Sequence, residues 1–188
     1  MTAIVILVVL AVVVLAVVLW AVFAYNGLVS LRNKIEGAYA QIDVQLHRRH
    51  DLIPNLVETV KGYAAHERGT LEAVIAARNA AVSATTPAEA AAAENVVTGA
   101  LRSLFALSEA YPQLQANANF SQLQAELSET EDRIAYARQY YNDNVRTYNT
   151  RIQTVPTVVI ARAAGFVARE YFEAGEDARA GVAVDFGA

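Results

Sequence analysis

The chain opens on an unbroken apolar stretch and then changes rhythm. Residues Ala3 to Ala24 read AIVILVVLAVVVLAVVLWAVFA, with no charged, amide or hydroxyl side chain. A helix of that length covers roughly 33 Å, enough to cross a hydrocarbon core of about 30 Å with slight tilt. Val and Ile are poor helix formers in water, but an unpaired backbone group in lipid costs several kcal/mol, so the helix prevails there. A buried soluble helix is the weaker reading, because the stretch is terminal, apolar on all sides and followed at once by a polar, periodic chain. A cleaved signal peptide is the closer rival, since Val22 and Ala24 suit the small-residue positions before a cut. Against it, no Lys or Arg precedes the run, which exceeds the roughly 7–15 apolar residues of a secretory signal. Residues 1–25 are therefore expected to stay as a transmembrane anchor.

Beyond the anchor the apolar positions recur in steps of three and four: Leu28, Leu31, Ile35, Tyr39, Ile42 and Leu46, then Ile53, Leu56, Val60 and Tyr63. That spacing marks one face of a long helix. Pro54 lacks a backbone donor and crowds the preceding turn, so a kink near Asp51 is expected. The rhythm continues through Leu71, Val74 and Ile75 to a turn at Ser83–Thr86. There Thr86, Pro87 and Glu89 compose a capping box with proline at the first helical position. The helix so opened carries Val97, Leu101, Leu104 and Ser108 on one face and ends at Tyr111-Pro112.

Asn119 with Gln122 offers the next capping box. The clearest periodicity follows: Leu123, Leu127, Thr130, Ile134, Ala137, Tyr141, Val145, Tyr148 and Ile152, the coiled-coil-like seam of a helix pair or bundle. Glu129 and Arg133 pair at i,i+4 on its wet face. Val155-Pro156 stops that helix, and a short apolar segment runs from Thr157 to Ala164. No useful strand alternation appears. The predicted fold is all-α, a single N-terminal transmembrane helix followed by an antiparallel bundle of three to four long helices. The bundle domain is expected over 26–174, with a flexible C-terminal tail over 175–188.

Charge adds sidedness. Arg32 and Lys34 follow the anchor closely and no basic side chain precedes it, so the positive-inside rule places the N-terminus out and the domain in the cytoplasm. This predicts a single-pass membrane protein. Trp20, Phe23 and Tyr25 crowd the same end of the anchor, where aromatic rings favour the headgroup layer. The anchor has no acid, base or amide for an ion path and no small-xxx-small spacing for close helix contact. A net charge of −4 and a pI near 5.4 argue against nucleic acid as a partner. The absence of cysteine excludes disulfides, thiolate catalysis and Cys-rich zinc sites.

Candidate chemistry is sparse. His47 and His50 stand at i,i+3 beside Asp51, but spacing fixes no third ligand, and a solvated helix face is expected instead. Arg48-Arg49 also reads as a wet face. No nucleophile elbow or phosphate loop is present, so no catalytic residue, metal or cofactor is predicted. The most informative polar run spans residues 41–57. Gln41, Asp43, Gln45, Arg48, Arg49, Asp51 and Asn55 crowd a segment that must also supply a core face. They form either a buried polar network fixing helix register beside the proline or a partner-binding surface.

The motifs QIDVQLHRRHDLIPNLVETVKGYAAHERGTLEAVIAAR, SEAYPQLQANANFSQLQAELSETEDRIAYARQYYNDNVRTYN and, near the end, YFEA resemble the LemA family of bacterial membrane-anchored helical proteins. The resemblance covers nearly the whole chain. Two departures stand out: His50 replaces a usual Tyr, and Val155-Pro156 with ARAAGFVARE replaces a more typical Phe-Pro and Gly-Phe-rich ending. The resemblance implies an N-terminal membrane helix and an antiparallel helical bundle. It implies no catalytic residues.

Three functions are compatible with these residues. The first is a non-catalytic membrane-anchored scaffold that self-associates or organises envelope proteins. Tyr136 and Tyr140 are its candidate self-association residues, because they lie off the seam. The second is a membrane-surface adaptor or regulator that captures a soluble partner through residues 41–57. The third is an enzyme with a site assembled from Asp43, Asp51, His66, Glu67 and Glu131.

Overall fold

The computed structural model describes residues 1–173, so the expected tail over 175–188 lies outside the described residues. The chain is all-helical. In order come α1 (Thr2–Lys61), α2 (Arg68–Val82), α3 (Pro87–Ser108), the single turn α4 (Pro112–Gln115), α5 (Ala118–Gln153) and α6 (Thr157–Ala163), with no strand among the described residues. From Ile4 to Leu19 every large apolar side chain of α1 is at least half exposed. By length and composition this part of the helix suffices to cross a membrane.

α1 continues helical through Pro54. Proline leaves the carbonyl four residues back, that of His50, without its usual donor. Arg78 of α2 replaces it: its Nε donates to the His50 carbonyl at 3.2 Å.

The apolar rhythm misleads just after this point. It runs on through Tyr63, but the chain leaves the helix at Gly62 and turns until Glu67. The N–H groups of Tyr63 and Ala64 both converge on the Val60 carbonyl, at 3.0 and 2.9 Å, closing α1. Ala64 is buried within the turn, so the apolar spacing continues in a segment that is no longer helix.

The Thr86 cap forms as expected. Glu89 N–H donates to Thr86 Oγ1 and Thr86 N–H to Glu89 Oε2, both at 3.2 Å. Thr85 adds two more donors, its N–H at 3.0 Å and its hydroxyl at 2.7 Å. These hydrogen bonds, the Thr85 backbone first, hold the Glu89 carboxyl below its ordinary value. At α5 the cap sits two residues earlier than the sequence predicts. Asn117, not Asn119, accepts the Phe120 N–H at 3.0 Å, and the helix begins at Ala118.

The chain forms two compact units, Met1–Ala40 with Tyr140–Arg169, and Gln41–Gln139 with the segment from Glu170. In the first, Leu28, Ile35 and Ala38 of α1, Tyr141, Val145, Tyr148 and Ile152 of α5, and Ala161 of α6 are buried. The segment after α6 is tied down by Tyr148, whose hydroxyl donates to the Val167 carbonyl at 3.0 Å. Asn149 and Arg169 exchange two hydrogen bonds of 2.9 Å each. In the second unit Ile53, Leu56 and Val60 of α1 share a core with Leu71 and Val74 of α2, Val97, Leu101 and Leu104 of α3, Leu114 of α4, and Phe120 and Leu127 of α5. Burying one such side chain stabilises by about 1.5–3 kcal/mol.

Candidate functional site

Within the second unit, charged residues occupy positions that the helical period assigns to the core. On α1, Arg49 falls between Leu46 and Ile53 on the buried stripe, and His50 lies beside it. On α3, Glu94 stands three residues before Val97. All three are buried, Glu94 to 1% exposure. A carboxylate so far from water needs partners, because desolvation without compensation costs several kcal/mol.

The partners are supplied by α1. Arg49 Nη1 donates to Glu94 Oε2 at 3.2 Å, and His50 Nε2 lies 2.6 Å from Glu94 Oε1. With the carboxylate as acceptor, that short contact makes Nε2 the protonated ring nitrogen. Arg49 also donates from Nη2 to Thr98 Oγ1 at 2.8 Å. Its Nη1 stands 2.8 Å from Glu131 Oε2 of α5, an ion pair rather than an aligned hydrogen bond. One guanidinium thus joins α1, α3 and α5, while Arg78 of α2 binds the backbone at His50.

Arg138 of α5 adds a second cation. Its guanidinium lies 4.9 Å from the centroid of the fully buried Phe172 ring, and its Nε and Nη2 have no hydrogen-bond partner. Burial lowers the Arg138 pKa, opposed by the charges of Glu131 and Glu94 and reinforced by that of Arg49. Arginine stays protonated regardless.

Arg49, Thr98 and Glu131 also line a pocket of about 500 Å³, together with Leu101, Phe105 and Leu127. Every polar group of Glu94 is engaged by protein. The arrangement can fix the register of three helices. Among the described residues no three His, Asp or Glu side chains gather as metal ligands.

The residues singled out along 41–57 divide. Arg49 corrects the expectation of a wet face: it is buried and enters the cluster, whereas Arg48 is exposed. Gln45 is half-buried with its Oε1 unpartnered. Gln41, Asp43, Arg48, Asp51 and Asn55 are exposed, and the last four border an open depression with Val44. His50 corrects the expectation of a solvated face: His47 is exposed and donates from Nδ1 to the Asp43 carbonyl at 2.9 Å, whereas His50 turns inward. Of the residues considered for an enzyme, Glu131 meets Arg49 and Glu67 accepts from the Tyr111 hydroxyl at 3.2 Å, while Asp43, Asp51 and His66 are exposed. Glu94, the centre of the cluster, was not singled out. Its signal was a lone charge on the apolar phase of an Ala-rich helix.

Elsewhere, Tyr136 and Tyr140 are both exposed, and so are Trp20, Phe23 and Tyr25. Tyr25 also sets its ring edge-on to Phe166 at 5.6 Å between centroids.

An all-helical chain with a long apolar N-terminal helix and a buried Arg–Glu–His cluster is the class of protein these features define. The chain belongs to the LemA family, whose model matches residues 38–186. It is 29% identical over 161 residues to protein LemA of Metamycoplasma hominis, an alignment covering 84% of this chain and 72% of the relative. It is 27% identical over 175 residues to magnetosome protein MamQ 2 of Paramagnetospirillum magneticum, and 26% identical over 174 residues to magnetosome protein MamQ of Magnetospirillum gryphiswaldense. Both of these alignments cover 79% of this chain and 64% of the relative, so the chain spans just under two thirds of the MamQ proteins.

Proposed function

We propose that the chain is a non-catalytic, membrane-anchored helical scaffold whose domain associates with copies of itself or with other envelope proteins. One observation carries this reading. The exposed apolar stretch from Ile4 to Leu19 and the core residues Ile53, Leu56 and Val60 belong to one unbroken helix, so insertion of the first would tether the second. The remaining helices complete an antiparallel bundle in this reading. The two cations after the apolar stretch, Arg32 and Lys34, favour an N-terminus outside a bacterial inner membrane and a cytoplasmic domain.

Self-association needs a surface outside the anchor, which has no close-packing motif. Tyr136 and Tyr140, exposed at 74% and 43%, supply amphipathic rings for it. The test is the size of the detergent-solubilised full chain with Tyr136→Glu and Tyr140→Glu together. Helicity is expected to persist while the assembly shrinks. An assembly of parental size overturns this interface, and a parent chain that is monomeric and retains no other envelope protein overturns the scaffold.

A second reading, an adaptor for a soluble partner, draws on the exposed side of residues 41–57. Val44 is largely exposed there among Asp43, Arg48, Asp51 and Asn55. A monomeric chain that loses a co-purifying protein on Val44→Glu would favour this reading.

A further inference from the structure

Charge is unevenly divided along the chain. The unit made of Met1–Ala40 and Tyr140–Arg169 carries six basic side chains, Arg32, Lys34, Arg146, Arg151, Arg162 and Arg169, against two acidic ones, Glu36 and Asp143. Residues 41–139 with 170–173 reverse the balance, with fourteen acidic side chains against eight basic. Both acids of the basic unit are already paired, Glu36 with Arg169 at 3.4 Å and Asp143 with Arg146 at 2.9 Å. Arg32, Lys34, Arg151 and Arg162 are left without a carboxylate partner among the described residues.

The same unit exposes apolar side chains that its fold does not use. Val155, Val159 and Val167, before, within and after α6, are 84%, 64% and 69% exposed. Val159 and Arg162 stand at i,i+3, on one side of α6. Isolated exposed valines are ordinary, but three in one short segment that holds the unpaired Arg162 and follows the unpaired Arg151 are a chemical pattern.

Contacts within the unit locate this segment. Phe166 lies edge-on to Tyr25, and the Arg32 guanidinium carbon is 6.0 Å from the Phe166 ring centroid. Tyr25 is the first residue after the apolar stretch Ala3–Ala24. The turn after α6 is therefore held against the end of that stretch, at the level where a bilayer would present its headgroups. Unpaired arginines meet lipid phosphates there, and valines reach the boundary with the acyl chains.

We infer that α6 and its flanking turns are a lipid-docking platform, which binds the anionic phospholipid surface of the membrane that holds the anchor. The inference rests on the anchored reading above and adds a second, charge-dependent membrane contact to it. Arg32, beside Phe166, then acts with Arg151 and Arg162.

The absence of cysteine makes the test direct. Val159→Cys in the full chain, labelled with an environment-sensitive fluorophore, is placed in nanodiscs of phosphatidylcholine with or without phosphatidylglycerol. Each disc contains a lipid carrying a spin-label quencher, placed near the headgroup for the Val159→Cys chain and deep in the acyl region for the Val12→Cys chain. A second chain, Val12→Cys, carries the same label in the apolar stretch. The Val159→Cys label is expected to shift to the blue and be quenched in anionic discs, and to be released when salt shortens the screening length from about 10 Å to about 3 Å. Arg151→Gln with Arg162→Gln should lower the docked-to-free ratio at least about five-fold, since one basic residue at an anionic surface is worth roughly that factor.

An aqueous Val159→Cys label beside a quenched Val12→Cys label overturns the platform and leaves the anchor standing. Quenching of Val159→Cys that is equal with and without phosphatidylglycerol overturns the anionic-lipid assignment. An unquenched Val12→Cys label overturns the anchor, and the platform with it.

Discussion

The Nε of Arg78 donates to the His50 carbonyl, the acceptor that loses its usual donor because residue 54 is proline. A defect within α1 is thereby repaired from α2, across 28 residues of sequence. The repair sits beside the buried Glu94 contact of the same His50, so backbone and side chain of one residue are held by different helices.

Arg78→Met is expected to destabilise the domain by about 1–3 kcal/mol, the cost of stranding a partly buried carbonyl. Pro54→Ala restores an N–H at the right place. In a double-mutant cycle read by urea unfolding in detergent, Arg78→Met should therefore cost less in the Pro54→Ala background. Equal costs in both backgrounds would dissociate the guanidinium from the proline.

Glu94→Ala leaves Arg49 and His50 buried without their shared carboxylate, and should cost about 3–5 kcal/mol. Replacing the set with apolar residues, Glu94→Leu with Arg49→Met and His50→Leu, should recover most of that loss, because the desolvation penalty disappears with the charges. Thermal midpoints of the three chains decide it. A triple variant no more stable than Glu94→Ala would mean that the cluster contributes more than a satisfied charge.

Thr86→Ala removes the side-chain acceptor at the start of α3, and a loss of about 1 kcal/mol is expected. Glu89 gives this cap a pH dependence. Its folded value is depressed by hydrogen bonds, chiefly from the Thr85 backbone, so its contribution is present above the ordinary carboxylate value and is lost as pH falls through the depressed one. Glu89→Gln should flatten the acid limb of the stability profile, and an unchanged limb would contradict the assignment.

The opposite limb reports on Tyr148. Burial raises its phenol above the usual value, with Arg169 and Arg32 pulling the other way. A raised folded value means full stabilisation below about pH 10 and loss as pH climbs through the folded value. Tyr148→Phe should cost about 1 kcal/mol at neutral pH through the lost bond to Val167, and should reduce the alkaline slope. Tyr111, raised by burial and its bond to Glu67, keeps part of that slope in the variant.

Local chemistry was the legible part of this chain. The α5 seam from Leu127 to Ile152 is buried at each predicted position, because a strict three-four spacing needs no knowledge of what covers it. The Thr86 cap was legible because all its atoms lie within four residues. The turn at Gly62–Glu67 was not, since Ala64 buries an apolar side chain without being helical. Asn117 displaced the expected Asn119 because two asparagines two residues apart offer the same acceptor, and Asn117 also donates to the Tyr63 hydroxyl at 2.9 Å, a contact between distant segments. The buried cluster was half legible. Arg49 and Glu94 each interrupt an apolar stripe, but their pairing across 45 residues depends on how α1 and α3 meet.

The unit that ends the apolar stretch has an uncommon biogenesis. Tyr25, Glu36 and Tyr39 find their partners at Phe166, Arg169 and Tyr141, so residues 41–139 must be synthesised before any of these contacts exists. A nascent chain thus displays its most hydrophobic segment well before the residues that pack at its end have been made. Closing so long a loop is costly in entropy, though the cost grows only with the logarithm of its length. Ribosome-bound chains halted before Tyr140 should bear the apolar helix without these contacts. Only a chain extended through Arg169 carries both, and any factor that reads residues 140–169 reads a chain that has grown past them.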